Sequence, residues 1–130
     1  MKNLLPQEAW ALLQKEPGAL FVDVRMEIES LYVGRPPGVV NIPWYEYPEL
    51  TPNPQRFVQA VEQEARAKDQ PVLLICRSGV RTVDAAMALE KAGFTQVINV
   101  LDGFEGELDD DGHRSSVCGW RFEGLPWEQM

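Results

Sequence analysis

Histidine and cysteine are scarce in this chain: His113 stands alone, and Cys76 and Cys118 are the only thiols. Two cysteines far apart make no disulfide framework, and one histidine without a close cysteine pair makes no zinc site. Basic residues are also few, 12 against 20 acids, for a net charge of −8. Nucleic acid and anionic membrane surfaces call for clustered Lys and Arg, so neither is an expected partner. A small anion held in one locally positive pocket is still compatible with that balance. No stretch approaches the roughly 18–20 apolar residues that a bilayer-spanning helix needs. Pro6 and Glu8 interrupt the start before an apolar run of signal-peptide length develops. The expectation is a cytoplasmic protein with no metal and no cofactor.

No repeat, linker or low-complexity run divides the sequence, and 130 residues suit one domain spanning 1–130. Helix-like and strand-like segments alternate, the pattern of an α/β domain with a largely parallel sheet. Pro6 opens a helix that carries Ala9, Leu12 and Leu13 on one face and stops at Pro17-Gly18. Leu20–Val24 reads as a buried strand ending in the charged pair Asp23 and Arg25. Met26–Tyr32 reads as one or two helical turns, and Gly34–Gly38 as a loop. Val39–Pro43 is a brief extended piece. A second helix opens at Thr51-Pro52-Asn53-Pro54, with Phe57, Val58, Val61 and Ala65 on one face. Val72–Ile75 is a continuous apolar strand of the kind covered on both sides. Arg81–Ala92 is a third helix capped by Gly93, Val97–Leu101 a further strand, and Gly119–Gly124 a short terminal helix.

The segment that carries chemistry is Cys76-Arg77-Ser78-Gly79-Val80-Arg81. It follows the most buried strand and precedes a helix, and in open α/β sheets ligands bind at the carboxyl ends of strands. A helix starting near Val80 turns its free N–H groups and positive dipole end toward the loop. Those donors, with Arg77 and Arg81, favour the thiolate of Cys76, which is the nucleophilic form. Gly79 lets successive N–H groups curl onto one anion. A cysteine ending a core strand is more often an inert small hydrophobe, but inert packing requires neither two arginines nor a glycine in the next five positions. Arg81 has a structural alternative, an ion pair with Asp23 or Glu29. Arg77 is the better candidate for contacting substrate, and Ser78 adds a hydroxyl or merely tolerates the turn.

Taken in order, these segments resemble the rhodanese family of sulfurtransferases in its single-domain form. Leu20–Arg25 is similar to the family's first strand and its Asp-Val-Arg signature. Gly34–Pro43 resembles its glycine-proline loop ending in Asn-Ile-Pro, with Arg35 where relatives commonly carry histidine. Cys76–Arg81 resembles the active-site loop, and Asp102-Gly103-Phe104, Trp120 and Gly124-Leu125-Pro126 the closing motif. The resemblance implies a three-layer fold with a central, mostly parallel sheet and helices on both faces. It also implies a cofactor-free sulfurtransferase in which Cys76 is catalytic and Arg77, Ser78, Gly79, Val80 and Arg81 bind substrate. The implied partners are a small anionic donor such as thiosulfate and a thiol or cyanide acceptor, with a sulfur-acceptor protein as a further candidate. Related cysteine phosphatases carry five residues between cysteine and arginine. Four stand between Cys76 and Arg81, a narrower ring suited to one sulfur atom, so phosphatase or arsenate reductase chemistry ranks well behind. A non-catalytic binding module and thiol redox control through Cys76 and Cys118 are the competing readings.

Between Gly103 and Trp120 the chain is longer than the family pattern. The extra length either folds over the active-site mouth or is a solvated excursion. His113 and Arg114 within it are candidates for supporting the site, as are Asp23 and Arg25. Glu107, Asp109 and Asp111 before Gly112 resemble a calcium loop, but Cys118 occupies the position of the bidentate acid. Trp10, Trp44, Trp120 and Trp127, with Phe57 and Phe122, read as core and rim packing.

Overall fold

The apolar runs read from the sequence become the middle of a sheet, as their two-sided hydrophobicity requires. The computed structural model describes all 130 residues. In chain order the elements are β1 (Lys2–Leu4), α1 (Pro6–Lys15), β2 (Leu20–Asp23), a π-helical turn (Glu29–Val33), β3 (Val40–Asn41), α2 (Pro54–Glu64), β4 (Val72–Ile75), α3 (Arg81–Lys91) and β5 (Val97–Val100). The sheet order is β1-β5-β4-β2-β3, and every pairing is parallel.

Alternation along the central strands divides the core in two. Val22, Val24, Val72, Leu74 and Cys76 face one side, where Phe57, Val61, Ala85, Ala86 and Leu89 of α2 and α3 cover them. Phe21, Leu73, Ile75, Ile98 and Val100 face the other, against Ala9 of α1 with Phe104 and Trp120. Helices therefore lie on both faces of the sheet, giving three layers.

Local signals set the helix ends. Pro54 occupies the first turn of α2, where its missing N–H costs nothing, and the Asn53 side chain accepts the N–H of Arg56 at 3.1 Å. Gly93 takes φ +101° just past α3, as a left-handed cap does. The helical turns expected over Met26–Tyr32 are present: residues 27–28 are α-helical and run into the π-helical turn. Residues 119–124 form turns rather than the short terminal helix that was expected. In that segment Trp120 is buried and Phe122 is about half exposed, so Phe122 is no core residue. No helix is long and apolar enough to cross a membrane.

Candidate active site

Cys76 is the next residue after β4 and continues that strand's alternation, so its side chain enters the α2–α3 side of the core. It is 1% exposed. The loop then turns back over it. Gly79, at φ +95°, brings its N–H to Sγ at 3.1 Å, and α3 begins two residues later. Behind the sulfur stands Thr82, whose Oγ1 lies 3.8 Å from Sγ. Thr82 in turn donates to Oδ1 of Asn99 at 2.6 Å, and Asn99 Nδ2 donates to Oδ1 of Asn3 at 3.1 Å.

The turn after β5 forms the floor under the loop. The N–H of Phe104 reaches the Cys76 carbonyl at 2.7 Å, and the N–H groups of Glu105 and Gly106 reach the Arg77 carbonyl at 2.9 and 3.1 Å. Gly103, at φ +65°, passes so close beneath Cys76 and Arg77 that a side chain would meet their backbone. The turn and the loop hold each other in place.

The two loop arginines part company. Arg77 is exposed, with no ion pair or side-chain hydrogen bond inside the protein. Arg81 is anchored: Nη1 and Nη2 donate to the two oxygens of Glu29 at 2.7 and 3.0 Å, and its guanidinium lies 5.4 Å from the Tyr45 ring. Of the two acids considered for Arg81, the structure selects Glu29. Burial opposes the charge on Glu29. The bonds and charge of Arg81, the Met26 N–H and the charge of Arg25 outweigh burial and hold the carboxyl below its ordinary range. Arg81 is likewise opposed by burial, but Glu29, Tyr45 and Cys76 together raise its affinity for the proton.

Asp23 and Arg25 pair with each other instead of with the loop. Both are fully buried, joined through Nε–Oδ1 at 2.8 Å and Nη2–Oδ2 at 2.7 Å. The same guanidinium donates to the Gly34 carbonyl at 2.6 Å and lies 4.6 Å from the Phe104 ring centroid. It thereby ties the end of β2 to the floor of the site. Arg35 binds the C-terminal segment, pairing with Glu128 through the backbone and at 3.5 Å through the side chains.

The long segment after Gly106 is organised around Asp109. Its Oδ1 accepts the N–H groups of Asp111 and His113 at 2.9 and 2.8 Å, and its Oδ2 the Ser116 hydroxyl at 2.5 Å. Those three donors occupy the carboxylate that the calcium reading would have used. The His113 residue is exposed and joins this knot through its backbone. Arg114 donates to the Gly106 carbonyl at 2.7 Å, and Gly106 donates to Arg77, so Arg114 braces the floor. Cys118 is half-buried and accepts the Glu107 N–H at 3.4 Å.

Sequence reasoning missed Thr82, Asn99, Asn3 and Tyr45. One signal existed: Asn99 sits inside the apolar run Val97-Ile98-Asn99-Val100, and a buried amide there requires a polar partner.

The crystal structure of Rv0390 from M. tuberculosis matches with a TM-score of 0.86 at 40% identity, covering all of this chain and 98% of that one. Thiosulfate sulfurtransferase GlpE from Haemophilus influenzae is 29% identical over 105 residues, 81% of this chain and 86% of its own. An uncharacterised protein of Rickettsia conorii is 29% identical over 133 residues, with 98% of each chain covered. A solution structure of a polysulfide-sulfur transferase from Wolinella succinogenes shares the fold, with a TM-score of 0.69 at 23% identity over all of this chain and 80% of that one. The family model for the rhodanese-like domain matches residues 5–107, from the start of α1 through the floor of the Cys76 loop, and the chain belongs to that family.

Proposed function

We propose that the protein is a sulfurtransferase that carries a sulfane sulfur on Cys76. The observation that carries this reading is the contact of the Gly79 N–H with Sγ at 3.1 Å, at the carboxyl end of β4 and beside the first turn of α3. A donor so placed stabilises negative charge on sulfur before and after the transfer. The Cys76 thiolate attacks the outer sulfur of an anionic donor such as thiosulfate. A new S–S bond forms, the donor's own S–S bond breaks, and sulfite leaves with the electron pair. Cyanide or a thiolate then attacks the outer sulfur of the persulfide, taking it as thiocyanate or as a new persulfide and returning the Cys76 thiolate.

Each substituent of the loop has a part in this reading. Arg77 is free to meet the donor's charge, which the net −8 of the chain would otherwise repel. Arg81, with Glu29 behind it, shapes the far wall. Ser78, Gly79 and Val80 supply backbone and room. The resemblance to GlpE supports thiosulfate as donor. The two free cysteines fit a reducing cytoplasm, where a persulfide carrier would be regenerated by thiols.

The test is to incubate the protein with thiosulfate, look for a mass gain of one sulfur atom on Cys76, and follow thiocyanate release with cyanide. Cys76→Ser should abolish both. Undiminished turnover in Cys76→Ser would remove the reading.

A further inference from the structure

We propose that Thr82, Asn99 and Asn3 form a one-way hydrogen-bond chain that presents an oxygen lone pair, and not a hydroxyl hydrogen, to Cys76, and thereby favours the protonated thiol. The inference rests on Cys76 being the reacting group, and makes Thr82 and Asn99 positioning residues for it.

The direction of the chain follows from the donor inventory of each group. Asn99 Nδ2 donates to Asn3 Oδ1 at 3.1 Å, which turns Asn99 Oδ1 toward Thr82. A carbonyl oxygen can only accept, so the hydrogen in the 2.6 Å contact belongs to the Thr82 hydroxyl. A hydroxyl carries one hydrogen and two lone pairs. With that hydrogen committed to Asn99, only a lone pair faces Sγ at 3.8 Å. The thiol can donate to it. The thiolate cannot, and meets the lone pair as like charge.

Burial makes the arrangement matter. Cys76, Thr82 and Asn99 are 1%, 0% and 3% exposed, so water does not replace a lost bond within the chain. The sulfur is consequently held between two opposed influences. Gly79 N–H favours the thiolate from the loop side, and Thr82 favours the thiol from the α3 side. The charged and titratable groups around this pair are Arg77, Arg81 with Glu29 and Tyr45, Asp102 after β5, the Asp23–Arg25 pair at the end of β2, and the exposed Asp84 on α3. Substitutions confined to the chain leave all of them in place.

The experiment is the pH profile of Cys76 alkylation by iodoacetamide, in a Cys118→Ser background so that one thiol reports. Asn99→Leu frees the Thr82 hydroxyl to turn and donate to the thiolate. The midpoint should fall by about 0.5–1 pH unit, making alkylation below the midpoint roughly three- to tenfold faster, the scale of one ordinary intramolecular hydrogen bond. The same substitution made on Thr82→Val should produce no shift relative to Thr82→Val alone, and Thr82→Ser should keep the parent profile. An unchanged or raised midpoint in Asn99→Leu, or a full shift on the Thr82→Val background, overturns the proposal. If Asn99→Leu does not fold, Asn3→Ala takes its place. Asn3 is exposed on an edge strand, and its removal frees the Asn99 amide to flip. A smaller downward shift supports the chain and an unmoved profile overturns it. Alkylation requires no sulfur donor, so absence of a persulfide after thiosulfate treatment counts against the sulfurtransferase reading and leaves this result intact.

Discussion

Arg81 reaches both oxygens of Glu29, Nη1 to Oε1 at 2.7 Å and Nη2 to Oε2 at 3.0 Å, so the residue closing the Cys76 loop is moored across 52 positions of sequence. The two side chains are only 12% and 13% exposed, which keeps solvent from screening the pair as it does on open surface. Glu29→Gln should lower stability at neutral pH by about 1–2 kcal/mol. It should also reduce kcat/KM for thiosulfate about tenfold, as the loop wall loosens. The pH dependence has a definite sign. The folded-state carboxyl titrates below the ordinary value of 4.5, so its contribution is complete above that value and is lost as pH falls through the lower folded one. Urea melts of parent and variant should therefore differ at pH 7 and converge under acid. A gap that widens on acidification contradicts the pairing.

The Asp23–Arg25 pair is a harsher case of the same chemistry. Both partners are 0% exposed, and Arg25 also holds the Gly34 carbonyl and covers Phe104. Arg25→Met leaves the Asp23 carboxylate buried without its cation, which costs about 3–5 kcal/mol. Urea midpoints should rank parent above Glu29→Gln above Arg25→Met. The reverse order would mean that burial is not what distinguishes the two pairs.

How far the sequence alone reached depends on which force acts at each place. β4 was legible because Val72-Leu73-Leu74-Ile75 is apolar on both sides, and α2 because its apolar face and its Asn53-Pro54 start coincide. The Cys76–Arg81 loop was legible because its residue types conflict with any packing role. β1 was not: Lys2-Asn3-Leu4 has no apolar alternation and is a strand because its backbone pairs with β5, a tertiary fact. The choice of Glu29 over Asp23 for Arg81 was equally out of reach, since Asp23 is claimed by Arg25 at a distance of two residues. The Asp109 knot is local but irregular, and no periodicity announces it.

That knot carries its own expectation. The Ser116 hydroxyl, then the His113 N–H, hold the Asp109 carboxyl below its ordinary range, with a smaller contribution from the Asp111 N–H. The order it gives residues 107–118 should persist above the ordinary carboxylate range and fade as pH drops through the lowered folded-state value. Asp109→Ala should speed amide exchange and proteolysis within 107–118 at neutral pH while leaving the unfolding midpoint of the domain nearly unchanged. Hydrogen exchange read by mass spectrometry decides it. Equal protection of the segment in parent and variant would mean that the Arg114 and Arg121 contacts order the segment without Asp109.

Gly103 and Gly124 separate two costs that are usually confounded. Both have left-handed backbones, at φ +65° and +75°. A methyl group on Gly124 would meet nothing within 4 Å. On Gly103 it would collide with the Cys76 carbonyl oxygen and lie 2.6 and 2.7 Å from the carbonyl carbon and oxygen of Arg77. Gly124→Ala therefore carries only the conformational cost of an alanine in that region, about 1–2 kcal/mol. Gly103→Ala carries that cost plus roughly 1–3 kcal/mol for forcing two backbones apart. The displaced backbone is the one that places the Cys76 sulfur under Gly79. Activity in Gly103→Ala should accordingly fall further than its stability loss explains, measured at a temperature where both variants are fully folded. In Gly124→Ala, turnover at that temperature should match the parent. Equal turnover in the two variants would show that the turn after β5 does not set the geometry of the loop.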